Sequence, residues 1–406
     1  MKRRDFLTAT AGIAATLPVA GFSWPVPVGS PIAITMWEFS WIERQWPGAG
    51  YENWDLALDE LAERGYNAIR IDAFPHLFFT NPEKEYMLEP LWNAQEWGSP
   101  GPVKIKVFPA LNQFIAKCAQ RNIKIGLSSW FRQDTDDVRM QLDTPAKLGT
   151  AWLKVLDSIH ADGLLDTIVY VDLCNEWTGP QWCPFFVNDP PQATWGGWDT
   201  QKSRTWMEQA ISVLRSKYPD IPYTFSFTGE VSVNDWNRAD LSMFDLLELH
   251  IWMTSSYKGE FYKTIGYRYD KFSDEGYKNM QLYAEKLYTE KRDYWQYGLK
   301  RQITNAAEWS LKSGLPLGTT ECWGVVDYKD WPLLSWDWVK ELCSLGVYEA
   351  CKTGRWLMIS TSNFCGPQFT GMWRDIGWHR KLTSAIKSAP VDEALKSSLL
   401  FKRIIK

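Results

Sequence analysis

The chain has 406 residues, of which 45% are hydrophobic and 23% are charged, and its formal net charge is -4. This composition is that of a soluble globular protein with ample apolar material for a core, and it supports neither a disordered chain nor a coiled coil. The slightly acidic charge balance provides no basic surface for nucleic acid, so a nucleic-acid-binding function is excluded.

The N-terminus has the pattern of an export signal. A twin-arginine pair, Arg3-Arg4, precedes an apolar run of small residues over 11–21 and a proline-rich stretch. We predict a twin-arginine-type signal and short linker over residues 1–30, and a periplasmic or extracellular protein. An amphipathic first helix is the alternative. The apolar run is too short for a stable anchor, and no later run reaches about 18 apolar residues, so no membrane span is predicted.

Residues 31–406 alternate short apolar strands with amphipathic helices. In the first half, Gly65 ends the first helix and Thr144-Pro145 begins the helix before the fourth strand, since threonine caps helices and proline suits their first turn. The predicted strands of this half cover 32–37, 67–72, 123–128 and 167–173.

The second half repeats the alternation. Its helical segments cover 200–217, a long polar and aromatic region over 274–312, a segment that Ser335 caps, and 378–388. Two connections, 80–102 and 177–200, are longer than simple connectors, and the second contains Trp182, Trp195 and Trp198. The predicted strands of this half cover 223–227, 246–252, 315–320 and 356–360.

Eight such units with nearly continuous apolar strands indicate a parallel sheet. The predicted fold class is α/β, a single-domain (β/α)8 barrel over residues 31–406, with its active site at the C-terminal ends of the strands. Acidic residues follow five of the predicted strands: Glu38, Asp72, Glu176, Glu230 and Glu321.

Cysteine and histidine are poorly arranged for metal chemistry or a disulfide scaffold. The seven cysteines form no C-x-x-C pair and are odd in number, and the four histidines show no zinc-binding spacing. Phosphate-binding loops and G-x-S-x-G elbows are also absent from the sequence. We predict no metal, no cofactor and no obligate protein partner.

Two strand-end motifs carry a family resemblance. The segment VDLCNEW ends in Asn175-Glu176, and TTECWG contains Thr320-Glu321. Both resemble the clan of retaining glycosidases typified by the cellulase family, glycoside hydrolase family five, and most closely its bacterial cellulase-like members. The resemblance extends over the whole barrel and includes Arg70 and His250.

The resemblance implies a role for each residue. Glu176 would be the acid/base and Glu321 the nucleophile, because cleavage with retention needs one carboxyl to protonate the leaving oxygen and another to attack the anomeric carbon. Asn175 would bind the sugar 2-hydroxyl, Arg70 would keep Glu321 ionised, and His250 would support the nucleophile and substrate. The substrate would be a carbohydrate.

Simpler structural interpretations compete with these roles. Asn175-Glu176 fits the start of a helix, Arg70 fits an ion pair at the barrel end with Asp72, and His250 fits a hydrogen-bonded core histidine.

The chain departs from the family pattern at three strands. Trp252 stands two residues after His250, where the family has a tyrosine, and the third strand ends in Ser128-Ser129-Trp130 in place of a histidine. The eighth strand continues into Asn363 and Phe364, which are candidates for polar and stacking contacts with the sugar.

Tryptophan is abundant, with 25 residues. Its flat apolar face and polar N–H suit a sugar ring as well as a core. The sugar-stacking candidates at or just beyond strand ends are Trp37, Trp130, Trp177, Trp252 and Trp323.

The predicted function is that of a secreted retaining glycoside hydrolase. A non-catalytic carbohydrate-binding barrel and a barrel hydrolase acting on a non-glycosidic bond are the alternatives.

Overall fold

The computed structural model describes residues 29–91, 96–187, 197–232, 240–268 and 273–406. Most of the predicted export signal, and Trp195, lie outside these residues. No helix in the described part of the chain is both long and apolar enough to cross a membrane.

Eight parallel strands close into a barrel, which confirms the predicted fold. Each strand pairs with its neighbour in sequence, and the eighth pairs with the first through Ile34 and Ser360. The strands are β1 (Ile32–Glu38), β2 (Ala68–Asp72), β3 (Lys124–Ser128), β4 (Ile168–Asp172), β5 (Tyr223–Thr224 and Phe227–Thr228), β6 (Leu247–Trp252), β7 (Leu317–Thr319 and Cys322–Trp323) and β8 (Trp356–Ser360).

Two strands differ from their predicted form because their chains bend. The first part of β5 pairs with β4 and the second part pairs with β6. The second part of β7, Cys322–Trp323, pairs with β6 alone. Glu321 lies in the interruption of β7 and is thereby directed toward the barrel mouth.

The principal helices surround the sheet. Asn53 and Thr144 cap two of them by accepting hydrogen bonds from Leu56 N and Lys147 N at 3.1 and 3.3 Å. These helices are Trp54–Glu63, Val107–Ala119, Pro145–Ala161, Gln201–Arg215, Arg292–Ser313, Asp337–Thr353 and Ile376–Lys387.

The predicted helical region over 274–312 is not one helix. It consists of Asp274–Asn279, a π-helical turn Met280–Ala284, Glu285–Glu290 and then Arg292–Ser313. The helix that Ser335 was predicted to cap begins at Asp337, and Ser335 Oγ accepts a hydrogen bond from the Asp337 N–H at 3.3 Å. Trp336, which directly precedes the helix, makes no side-chain capping bond.

Short elements fill the connections. The excursion over 80–102 contributes a strand of a small antiparallel hairpin, Tyr86–Leu88 with Val103–Ile105, which the sequence analysis did not predict. Short helices occupy Ser40–Glu43, Pro75–Thr80, Pro184–Val187, Ser256–Ile265 and Thr370–Trp373. Single turns of 3-10 helix occupy Val138–Gln141, Leu165–Thr167, Gly197–Asp199 and Met253–Ser255.

The lower end of the barrel is closed by the C-terminus. A 3-10 turn, Glu393–Ser397, and a helix, Leu399–Ile405, follow the last predicted helix. Leu400 and Phe401 pack with Ile32, Ala68 and Val169, at or near the N-terminal ends of strands. The opposite end, where the strands terminate, remains open to a cavity.

Candidate active site

The C-terminal ends of β4, β6 and β7 bring Glu176, His250 and Glu321 together. His250 Nδ1 lies 3.0 Å from Glu176 Oε1 and 3.7 Å from Glu321 Oε2. One oxygen of each carboxyl and the imidazole nitrogen all lie within 4.8 Å of one another. The structure therefore places the two predicted carboxyls side by side, with His250 between them.

Arg70 holds this arrangement from below. Its Nη1 donates to Glu321 Oε1 and Thr320 Oγ1, both at 3.0 Å. Its Nη2 donates to Asp172 Oδ2 at 2.6 Å and to Asn175 Oδ1 at 2.7 Å. The side chain is fully buried, and burial alone would lower its pKa, but the charge of Asp172 and other acidic neighbours raises that pKa above the ordinary value.

The alternative pairing of Arg70 with Asp72 is not what the structure shows. The Asp72 carboxylate accepts hydrogen bonds from the backbone N–H groups of Phe74 at 2.7 Å and Trp130 at 3.0 Å. Asp172, which sequence reasoning missed, is the partner that Arg70 uses at the barrel mouth. The sequence signal for it was present, since Asp172 ends the apolar run of β4.

Glu176 has an unusual backbone conformation. Its φ angle is 47°, in the left-handed region that most residues avoid, and such strain is concentrated at functional sites. Its N–H donates to Ser226 Oγ at 2.9 Å, and its Oε2 accepts from Trp182 Nε1 at 3.2 Å. These bonds fix both the backbone and the carboxylate of Glu176.

The two carboxyls have different proton affinities. Burial raises the pKa of Glu321 to about 7, and the Glu176 charge adds to this, while His250 and Arg70 oppose it. Burial also acts to raise the pKa of Glu176, but the hydrogen bond and charge of His250 bring that pKa below its ordinary value. The surroundings therefore favour the protonated form of Glu321 and the ionised form of Glu176.

Asn175 presents an amide group beside the pair. Its Oδ1 is used by Arg70, whereas its buried Nδ2 has no hydrogen-bond partner among the described residues. An unpartnered buried donor is costly, so a ligand acceptor at this point would stabilise the site. This matches the role that the resemblance implied for Asn175.

A cavity of about 910 Å³ opens above these groups. Of the predicted stacking residues, Trp130 and Trp252 line it. Trp182 and Trp198, from the long connection after β4, also line it. Other aromatic lining residues, not predicted as such, are Phe39, Trp97, Tyr262 and Tyr267.

Three predicted stacking residues are corrected, because their side chains are buried away from the cavity. Trp37 packs against Tyr51 and Phe114. Trp177 and Trp323 are likewise buried, the first against Phe186, Trp206 and Phe225 and the second against the helix Asp337–Thr353.

Asn363 and Phe364 are also corrected. The Asn363 amide donates to the Val326 carbonyl at 3.0 Å, and Phe364 is enclosed by Trp97, Trp336 and other rings. Both side chains are buried and neither lines the cavity, so they support its wall from behind.

Glu176, His250 and Glu321 are the one group among the described residues whose atoms are close enough to hold a metal ion. Arg70 disfavours this, because its Nη1 lies 3.0 Å from Glu321 Oε1 and 3.4 Å from His250 Nε2. A fixed cation at that distance repels a second cation and already occupies one carboxylate oxygen.

The sequence matches the model of one protein family, described as sugar-binding cellulase-like, over residues 34–387. A crystal structure of a "putative glycoside hydrolase" from Parabacteroides distasonis ATCC 8503 is similar, with 54% identity, a TM-score of 0.90, and coverage of 93% of this chain and 99% of that chain. Thermotoga maritima Cel5A, solved with mannotriose, shares the fold at 12% identity and a TM-score of 0.50, with coverage of 89% of this chain and 99% of that one. No curated protein matches the sequence.

Glu38 provides a test of the buried electrostatics at the cavity wall. Its carboxyl accepts from Ser40 Oγ, and burial raises its pKa from 4.5 to about 8. Because the folded state holds the proton more tightly than the unfolded state, Glu38 makes folding less favourable as the pH rises from about 4.5 to 8. The substitution Glu38→Gln removes this titration and keeps the acceptor for Ser40.

We expect the free energy of unfolding of the wild type to fall relative to that of Glu38→Gln between pH 5 and 8, by at most about 1.4 kcal/mol per pH unit. Urea unfolding at several pH values measures the difference. The exposed Glu290→Gln serves as the control and should follow the wild type. Parallel curves for Glu38→Gln and wild type would show that Glu38 ionises normally.

Proposed function

Because the chain belongs to the cellulase-like family, we propose that it hydrolyses β-glycosidic bonds of a plant-type or other polysaccharide or oligosaccharide with retention of configuration. The family and the barrel make it a glycoside hydrolase. The observation that carries the finer proposal is the placement of Glu176 and Glu321 at the mouth of a cavity, with oxygens within 4.8 Å.

This separation favours retention. Retaining glycosidases hold their two carboxyl groups about 5 to 5.5 Å apart, whereas inverting enzymes need roughly 6.5 to 9.5 Å so that a water molecule fits between the sugar and the base. One oxygen of Glu176 and one of Glu321 lie within 4.8 Å of each other, which is in keeping with the shorter of these two spacings.

The reaction proceeds in two displacements. Glu321 attacks the anomeric carbon as the glycosidic C–O bond breaks, and Glu176 gives its proton to the departing oxygen. In the second step Glu176 takes a proton from water, the water oxygen bonds to the anomeric carbon, and Glu321 leaves. Each step inverts the anomeric carbon, so the two together retain its configuration.

The first step requires Glu176 protonated and Glu321 ionised, although burial raises the pKa of Glu321 and His250 lowers that of Glu176. Substrate favours the required order, because the positive charge that develops at the anomeric carbon stabilises the ionised form of the adjacent Glu321. Arg70, already bonded to Glu321, stabilises the same form. His250 contacts both carboxyls and is positioned to accommodate the transfer between them.

Substitution of the two carboxyls tests this proposal. We expect Glu321→Gln to reduce hydrolysis of aryl β-glycosides by several powers of ten with every leaving group, since no nucleophile remains. Glu176→Gln should lower kcat/KM roughly a hundredfold to ten-thousandfold with poor leaving groups and far less with a dinitrophenyl group, which departs without protonation. Product release from a panel of aryl glycosides and plant polysaccharides measures both effects.

Glu308→Gln, an exposed carboxyl on an outer helix, is the control and should behave as wild type. If the wild type binds sugars without cleaving any, and both site variants bind equally well, the chain is a carbohydrate-binding barrel. Cleavage that survives Glu321→Gln would also contradict the proposal.

We further propose export by the twin-arginine-type signal. Replacing Arg3 and Arg4 by lysine should retain the protein in the cytoplasm, because the pair is the recognised element of such signals. Fractionation of cells that express each form measures this. Equal export of both forms would contradict it.

A further inference from the structure

One wall of the cavity carries positive charge. Lys258, Lys263 and Arg268, here called the cationic wall, line the cavity along the segment that follows β6. All three side chains are exposed. None of them takes part in the proposed chemistry at Glu176 and Glu321.

The backbone that carries Lys258 is strained. Tyr257, Lys258 and Gly259 have φ angles of 56°, 57° and 77°, three consecutive residues in the left-handed region. Such a conformation persists only where its surroundings impose it, and it is concentrated at ligand sites. The position of Lys258 is therefore determined by contacts with its surroundings.

Glu230 imposes this turn. Its two carboxylate oxygens accept from the N–H groups of Tyr257 at 3.2 Å and Lys258 at 3.0 Å. Arg301 binds the same carboxylate at 2.5 Å, and Tyr294 stacks on the Tyr257 ring with centroids 4.1 Å apart. Glu230, one of the five strand-end acids, thus acts as a positioning residue for the wall.

The lysines of the wall keep their charge available. Lys263 Nζ donates to the Lys258 carbonyl at 2.6 Å, and neither lysine pairs with a carboxylate in the described part of the chain. Glu230 is already neutralised by Arg301. Glu38, Asp199 and Asp327 also line the cavity. Burial raises the pKa of Glu38 to about 8 and that of Asp327 well above its ordinary value, and Asp199 lies in the turn Gly197–Asp199 on the connection after β4.

We propose that the cationic wall is a subsite for an anionic substituent, a carboxylate or a sulfate, on the carbohydrate substrate. The inference rests on the proposed function, because it takes the ligand to be a carbohydrate. Ammonium and guanidinium groups bind such anions through charge-assisted hydrogen bonds. Lys258 and Lys263 both line the cavity, and both lie on the segment that Glu230 positions. The aromatic lining on the other walls supplies the faces for the sugar rings.

Binding to matched oligosaccharides tests the subsite. The probes are a glucuronic-acid-substituted xylo-oligosaccharide with its unsubstituted form, and a sulfated galacto-oligosaccharide with its desulfated form. Calorimetry on Glu321→Gln, which has no nucleophile, should show one charged member binding about tenfold more tightly than its neutral partner at low salt. The pair that shows the preference distinguishes carboxylate from sulfate.

The preference should vanish when Lys258→Asn and Lys263→Gln are added, and asparagine is chosen because it tolerates the left-handed conformation. The control is Lys381→Gln combined with Lys402→Gln, which removes two charges from the outer and lower surfaces of the barrel. This control should keep the preference for the charged oligosaccharide. Glu230→Gln should weaken the preference, because the turn that carries Lys258 then loses one of its two carboxylate acceptors and the ion pair with Arg301.

Equal binding of charged and neutral members, or a preference that survives the loss of both lysines, would overturn the subsite. Hydrolysis of neutral glycosides by the wild type would then leave the proposed function standing. The reverse result is a lysine-dependent preference for the charged oligosaccharide in a protein whose wild type hydrolyses no glycoside. That result would contradict the proposed hydrolase function and support the subsite.

Discussion

The buried guanidinium of Arg70 is the constraint on which the barrel mouth depends. A charge without solvent must be paired and hydrogen-bonded, and removing one partner of such a pair typically costs about 3 to 5 kcal/mol. The two terminal nitrogens of Arg70 bond to side chains at or just beyond the ends of β3 and β4 and in the interruptions of β5 and β7, while its buried Nε has no partner among the described residues. These partners are Ser128, Asp172, Asn175, Ser226, Thr320 and Glu321. These bonds fix the positions of the strand ends relative to one another. They therefore also fix the positions of the side chains that the strand ends carry, including the two carboxyls.

The electrostatics of the site follow from the same arrangement. Glu176 and Glu321 are both buried and adjacent, so they cannot both ionise without cost, and one proton is shared by the pair. His250 stabilises negative charge on both carboxyls, and Arg70 adds to this on Glu321, while burial disfavours the charge on each. These contacts leave the proton able to reside on either carboxyl, which is what a residue that changes from acid to base requires.

Sequence reasoning located this site because barrel geometry assembles strand ends. Strand ends offered five acids, and the family resemblance selected Glu176 and Glu321 from them. The structure brings these two carboxyls together with Arg70 and His250, and their catalytic roles stay predictions. Sequence reasoning could not assign Asp172 as the partner of Arg70, because that depends on which strands the guanidinium reaches across the interior.

The tryptophans show a second limit. Successive side chains of a strand point to opposite faces, so a neighbour of a cavity residue generally faces away from the cavity. Trp37 stands between Met36 and Glu38, which line the cavity, and packs outward against a helix. Trp252 lies two residues after His250 and shares its side of the strand. The stacking candidates were chosen because they lie near strand ends. The direction in which each side chain points was not part of that choice, so residues that face away from the cavity were included.

The central claim is that Glu321 forms a covalent bond to the sugar. An activated 2-deoxy-2-fluoro-β-glycoside of the preferred sugar slows both displacements but slows hydrolysis of the intermediate more, so the glycosyl-enzyme accumulates for peptide mass spectrometry. The account predicts a mass increase of one fluorosugar on the peptide that contains Glu321, located at that residue and absent from Glu321→Gln. A label on Glu176 or elsewhere, or turnover of the parent substrate with inversion and no label, would contradict it.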